Sequence, residues 1–229
     1  MAMTTETFSI LHSSNILIHV LAGSLALLTG CVAILAKKGK KIHNQYGLIF
    51  LFLLGIAILT GLFGVFIFKR NSFLLVITVL SGYMGFSGYR ILQTKSNKPR
   101  FMDIIVAVLA VLAVSYFIAY FKSAGMIWSP GIIYSTVGYL IFAVSYDLLR
   151  YLLPTSLYTK FWLHEHILKM ISAWSGLLSA FSGTVFPQYQ PYSQFLPSVF
   201  GSIMAILFML QLYNKQKKIR TGPSPQYLS

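Results

Sequence analysis

The chain has 229 residues, 56% of them hydrophobic and only 10% charged, against about 25% charged in an ordinary soluble domain. That leaves too little polar surface to cover a globule in water, and the mean hydropathy of +0.73 agrees. Eighteen Lys and Arg against four acids give a formal charge of +14, and the single Cys31 excludes an internal disulfide or a multi-cysteine metal centre.

A helix crosses the bilayer core with about 20 apolar residues. Runs of that length predict seven spans, at 11–36, 45–68, 72–94, 102–121, 130–152, 164–186 and 196–213. A membrane β-barrel would instead alternate polar and apolar residues, and 50–58 and 104–114 are continuous apolar stretches. The expected fold is all-α: a polytopic, seven-helix transmembrane bundle over 11–213. A short segment, 1–10, precedes it, and a polar, mobile basic tail, 214–229, follows, in which Pro223 and Pro225 interrupt any helix.

The first run carries His12 and His19 on one face, with Gly23 and Gly30 further along it and Asn15 one turn from His19. His19 is either bonded to a neighbouring helix or handles a proton or substrate. Lys37-Lys38-Gly39-Lys40-Lys41 separates this run from the second, which opens at His43 with Gly47 one turn on. The break after the second run is Lys69-Arg70-Asn71. In the third run Gly82, Gly85 and Gly88 permit close helix approach, and Arg90 near its end cannot shed its charge. Arg90 therefore reaches the interface, or pairs with Asp103, Asp147, a lipid phosphate or a propionate. Asp103 opens the fourth run, and Asp147 and Arg150, at i and i+3, close the fifth.

The sixth run opens with His164-Glu165-His166 and Lys169. His164 and His166 point about 200° apart on a helix, whereas His166, Lys169, Met170 and Ala173 share a stripe. Ser172, Ser175, Ser179 and Ser182 form a neighbouring small polar stripe suited to helix contact. Trp128, Trp162, Tyr189, Tyr192 and Tyr213 fall at predicted interfaces, where such rings collect.

Lys and Arg near the span ends set orientation. The first, third and fifth breaks plus the tail hold thirteen of them, against Lys69, Arg70 and Lys122 on the other side. This predicts an external N-terminus and a cytoplasmic C-terminus, with the basic face drawn to anionic lipid. Ionisable groups inside a span are costly and face the bundle interior, and here they gather toward the cytoplasm.

His43 and His166 are expected at one depth. A haem b takes two imidazoles on facing helices, so these two are candidate axial ligands, with Arg90 or Lys169 neutralising propionates. A quinone at the same level is the related reading. Two further readings stay open: a cofactor-free transporter gated by His19, His166, Asp103 and Asp147, and a non-catalytic subunit or assembly factor. No Walker A, G-x-G-x-x-G or H-E-x-x-H motif is present, and no spacing specifies a resident metal.

The elements His19-x-x-x-Gly23-x-x-x-Leu27-x-x-Gly30, Lys38-Gly39-x-x-x-His43-x-x-x-Gly47, Gly88-Tyr89-Arg90 and His166-x-x-x-Met170 together resemble a family of bacterial membrane proteins of unknown function. The histidines on packed helices are also similar to those of b-type cytochrome and ferric-reductase membrane domains. The resemblance implies a small multi-helix protein of the bacterial cytoplasmic membrane, with His19, His43, Arg90 and His166 as its functional positions. This chain departs from the cytochrome pattern in lacking a second histidine pair at the external depth.

Overall fold

The computed structural model of the chain describes residues 5–68, 73–124 and 130–221. The Lys69-Arg70-Asn71 break, Trp128, Pro223 and Pro225 lie outside the described residues, as do the side chains of Lys122 and Arg220.

Seven α-helices follow in order among the described residues: α1 (Thr5–Leu35), α2 (Lys41–Phe68), α3 (Phe73–Thr94), α4 (Phe101–Ala124), α5 (Pro130–Leu149), α6 (Thr155–Val185) and α7 (Tyr192–Thr221). Single 3-10 turns occupy Arg150–Leu152 and Pro187–Tyr189. Strands are absent among these residues.

Three boundaries depart from the sequence expectation. Helix α1 begins at Thr5 rather than at 11, inside the segment expected to precede the bundle. Helix α6 begins at Thr155 rather than near 164, because Pro154 takes the N-cap position, where its missing N–H costs nothing and the helix can start immediately after it. Glu165 and His166 therefore sit about three turns inside the helix. Helix α7 runs on to Thr221, so residues 214–221 are helical where a mobile tail was expected. The straight-chain residues of Asn-Lys-Gln-Lys-Lys carry good helix propensity, which extends the apolar helix into the basic segment.

Four helices are long and apolar enough to cross a membrane, over Phe8–Leu35, Lys41–Phe68, Phe101–Ala119 and Tyr192–Lys218. Only 11–22% of each is buried in the protein, so their apolar side chains face outward, as lipid contact requires. Helix α6 is the opposite case. It is the one with Glu165, His166, Lys169 and the serines, and eleven of its 31 residues are buried. It packs against α3, α7 and α1, while α2 bridges α1 and α3, and α4 and α5 cover the remaining side of α3. Apolar helices thus surround polar ones, the inside-out distribution expected in a bilayer.

Small residues set the spacing. A Cβ at Gly82 would lie 2.9 Å from Ile58, one at Gly85 2.9 Å from Leu54, and one at Gly88 3.0 Å from Lys169. The three glycines therefore let α2 and α6 approach α3, the close-packing use that their spacing suggested. The serine stripe of α6 does the same work. Ser172 bonds Tyr139 of α5 at 2.9 Å, Ser179 bonds Ser198 of α7 at 2.9 Å, and Ser175 faces Gly201. At the basic link, Gly39 takes φ +73°, where an L side chain would be strained. Lys38 folds back over Phe208 at 4.3 Å, and this partial burial lowers its pKa.

Candidate functional site

Where α5 meets α6 and α3, four charged side chains close on one another. Glu165 Oε1 accepts from Arg150 at 2.7 Å and from Lys169 at 2.8 Å. Lys169 also donates to Asp147, whose Oδ1 lies 3.9 Å from Arg150. Three tyrosines complete the shell. Tyr83 donates to Asp147 Oδ2 at 2.7 Å, Tyr158 to Glu165 Oε2 at 2.9 Å, and Tyr146 to the same oxygen at 3.5 Å. The four charged side chains are no more than 10% exposed. Two cations and two anions balance, which is the condition for keeping such groups ionised away from water.

Two turns further along α3 from Tyr83, Arg90 Nε donates to Asp103 Oδ1 at 2.8 Å, and the Arg100 amide donates to Asp103 Oδ2 at 2.8 Å. The expectation that Arg90 pairs with Asp103 holds. Between this pair and the quartet runs a narrow cleft whose walls include Tyr83, Ser87, Arg90, Asp103, Asp147 and Arg150.

Three of the five histidines share one feature that sequence alone could not show. Each gives its Nδ1 to a backbone carbonyl of another helix: His19 to Ala57 at 3.0 Å, His43 to Ala33 at 2.8 Å, and His166 to Gly88 at 2.9 Å. A carbonyl only accepts, so Nδ1 carries a proton and Nε2 is the nitrogen left for another partner. His19 also bonds Thr60 Oγ1 at 3.0 Å, and Asn15 bonds the Thr60 carbonyl at 3.1 Å, so this group lies wholly between α1 and α2. His166 is 9% exposed and His43 is half-buried. His12 rests on Phe68, ring centres 4.6 Å apart.

The structure brings two sets of predicted residues together: Arg90 pairs with Asp103, and Asp147 and Lys169 join the quartet. His43 is bonded to α1, His166 to α3 and His19 to α2. Arg90 and Lys169, expected to neutralise propionates, are held by the protein's own carboxylates. Glu165, Tyr83, Tyr146 and Tyr158 were not singled out by sequence. Had the start of α6 been set at Thr155, Tyr158, Glu165 and Lys169 would have stood out at i, i+7 and i+11 on one face.

No protein-family model matches the chain, and no curated protein or solved structure is similar to it.

Proposed function

We propose that the chain is a seven-pass membrane redox protein, with its N-terminus outside and its C-terminus cytoplasmic, that holds one haem b between His43 and His166. The observation that carries this reading is the pair of Nδ1–carbonyl bonds at 2.8 and 2.9 Å. Metal-binding histidines ordinarily donate their other nitrogen in this way, which fixes the ring and raises its basicity. Both rings therefore present Nε2, the nitrogen that would bind iron.

The donor set fits a bis-imidazole haem. Space is available on one side only. Gly88 is packed tightly against Lys169 and Met170, which closes the α3 side of His166, whereas Gly47, one turn after His43, faces open space. The basic link 36–40 beside His43, rather than the paired Arg90 and Lys169, would supply cations for propionates. When bound, the haem would supply one-electron chemistry. The residues' part is to fix two neutral imidazoles and to keep water from the buried one.

The carrier reading is less favoured, because its gating carboxylates Asp103 and Asp147 are each engaged by a cation, and using either breaks an ion pair. The seven-pass topology is supported by the thirteen-to-three cation asymmetry and by apolar helices ringing polar ones.

The test is a reduced-minus-oxidised spectrum of the full chain, purified folded after haem-replete expression. A b-type band that disappears in His43→Ala and in His166→Ala but persists in His19→Ala is expected. A folded protein without the band, or a band that survives loss of both histidines, overturns the haem assignment.

A further inference from the structure

The link from α3 to α4 and the link from α5 to α6 are fastened to each other at their base. Asn97 Nδ2 donates to the Leu153 carbonyl at 2.6 Å and reaches the Tyr151 carbonyl at 3.5 Å, and Asn97 is only 2% exposed. The 3-10 turn that carries Tyr151 opens with Arg150 of the buried quartet, so the joint is anchored inward. Outward, the two links present one mixed surface. Lys95, Lys98 and Arg100 are exposed cations within six residues of one another. Phe101 follows them at 76% exposed, and Leu152 stands at 66% beside the Asn97 joint. Lys95 takes φ +46°, in the left-handed region that strains a residue with a Cβ, and its Nζ lies 5.2 Å from the centre of the Trp162 ring.

No side-chain carboxylate of the chain answers these three cations. The sequence holds four acidic residues. Asp103 is taken by Arg90, and Asp147 and Glu165 lie inside the quartet. Glu6 opens α1, where Phe8 packs on Phe68 at the end of α2. The 22 residues of α3, about 33 Å of helix, separate that end from Lys95. Countercharge therefore comes from outside the chain. A soluble polyanion would answer the cations but leave Phe101 and Leu152 in water. The apolar span over Phe101–Ala119 begins at Phe101 itself, so Lys98 and Arg100 stand where hydrocarbon gives way to headgroups. Cations at that level are drawn to anionic lipid, arginine suits the phosphate geometry, and rings such as Trp162 collect there.

We propose that the two fastened links bind the headgroup of an anionic phospholipid, its phosphate accepting from Lys95, Lys98 and Arg100 and its acyl chains lying along Phe101 and Leu152. The site rests on α4 crossing the bilayer; it needs neither the haem nor a particular orientation of the chain. The Asn97 joint holds both links in place before a lipid arrives, so little binding energy is spent on ordering them. The backbone at Lys95 fits the same use, because the turn keeps a lysine where a glycine would be free of strain.

The probe is phosphatidylglycerol, titrated into the full chain in neutral detergent after delipidation, with bound lipid counted by native mass spectrometry and phosphatidylcholine as the neutral reference. Phosphatidylglycerol should bind at least about tenfold more tightly, since each cation at headgroup level contributes roughly fivefold. Replacing Lys95, Lys98 and Arg100 together by Gln should cut that preference by about tenfold or more. Replacing Lys215, Lys217 and Lys218 by Gln removes the same charge from the end of α7 and should weaken binding by less than about threefold. Asp103 is bonded by the Arg100 amide, so the first triple variant leaves that bond in place. If it fails to fold, Lys98→Gln with Arg100→Gln still decides, by a loss of about fivefold or more. Lys95→Gly should weaken binding by about fivefold while leaving thermal unfolding unchanged or raised, which a merely structural lysine would not do. Equal binding of the two lipids, or equal losses from the two triple variants, overturns the site. Displacement by poly-glutamate as readily as by further phosphatidylglycerol also overturns it, in favour of an acidic protein partner. Selective binding by a chain that shows no haem band supports the site and leaves the haem reading to its own spectrum.

Discussion

Replacing Lys169 with methionine tests the buried charge quartet most directly. The ammonium touches Asp147 and Glu165, the latter at 2.8 Å. Without it, two carboxylates share one guanidinium, 2.7 Å from Glu165 but 3.9 Å from Asp147, and one negative charge is left uncompensated in a site no more than 10% exposed. Breaking a buried pair in this way costs about 3–5 kcal/mol, or roughly two to three and a half powers of ten in the folding equilibrium. Adding Asp147→Asn restores neutrality, leaving Arg150 with Glu165, and Tyr83 can still donate to the asparagine oxygen. The double variant should therefore regain at least about 2 kcal/mol over Lys169→Met, a coupling of the size expected for residues in contact. Unfolding of the purified protein in mixed detergent micelles, monitored by helical circular dichroism, measures both. If Lys169→Met lies within about 0.5 kcal/mol of wild type, or if Asp147→Asn makes it worse, the quartet does not hold its charges in the way described.

Glycine substitutions separate tight helix contacts from open ones. Gly30→Ala and Gly201→Ala push a methyl into Trp174 and Ser175 and should destabilise by about 1–3 kcal/mol. Gly23→Ala and Gly55→Ala meet nothing within 4 Å and should be neutral or stabilising by up to about 1 kcal/mol, measured by the same unfolding. Topology is tested by single cysteines in a Cys31→Ser background: Lys40→Cys should react with an impermeant maleimide only after the membrane is opened, and Gln188→Cys in intact cells. The reverse pattern refutes the orientation. Thr60→Val removes one of two acceptors from His19 but leaves the Ala57 carbonyl, so a loss of about 1 kcal/mol or less is expected; a larger loss would mean that the hydroxyl, not the carbonyl, holds the ring.

What the sequence made legible was set by which signals act locally. Apolar length and the punctuation by lysines are local, and they marked all seven helices, with the early starts of α1 and α6 and the long end of α7 as the larger misses. That exception came from treating 154–161 as a break, when Pro154 is a helix starter and the residues after it are free to coil. The Gly82-Gly85-Gly88 spacing was readable for the same reason, since a three-residue repeat on a helix means one face. Partner choice was not local. Arg90 had several admissible partners, and the chain between 90 and 103 had to turn back before Asp103 became the nearest. Glu165 looked like an interfacial side chain until the register of α6 turned it toward Arg150 of the preceding element.

The histidines show the same limit from the chemical side. Their positions along the helices were readable, but which nitrogen carries the proton depends on a carbonyl ten to 78 residues away. That carbonyl is what turns three ordinary imidazoles into rings of defined tautomer. All three receive the same treatment, and the proposed haem takes only His43 and His166. His19 has Thr60 and Asn15 for company instead. The Nδ1 bond therefore does not by itself mark a haem ligand, because His19 has it too. What sets the pair apart in the proposed reading is the basic link 37–41 beside His43 and the open space at Gly47. His19→Ala should therefore perturb stability while leaving any haem band in place, whereas either member of the pair should remove the band.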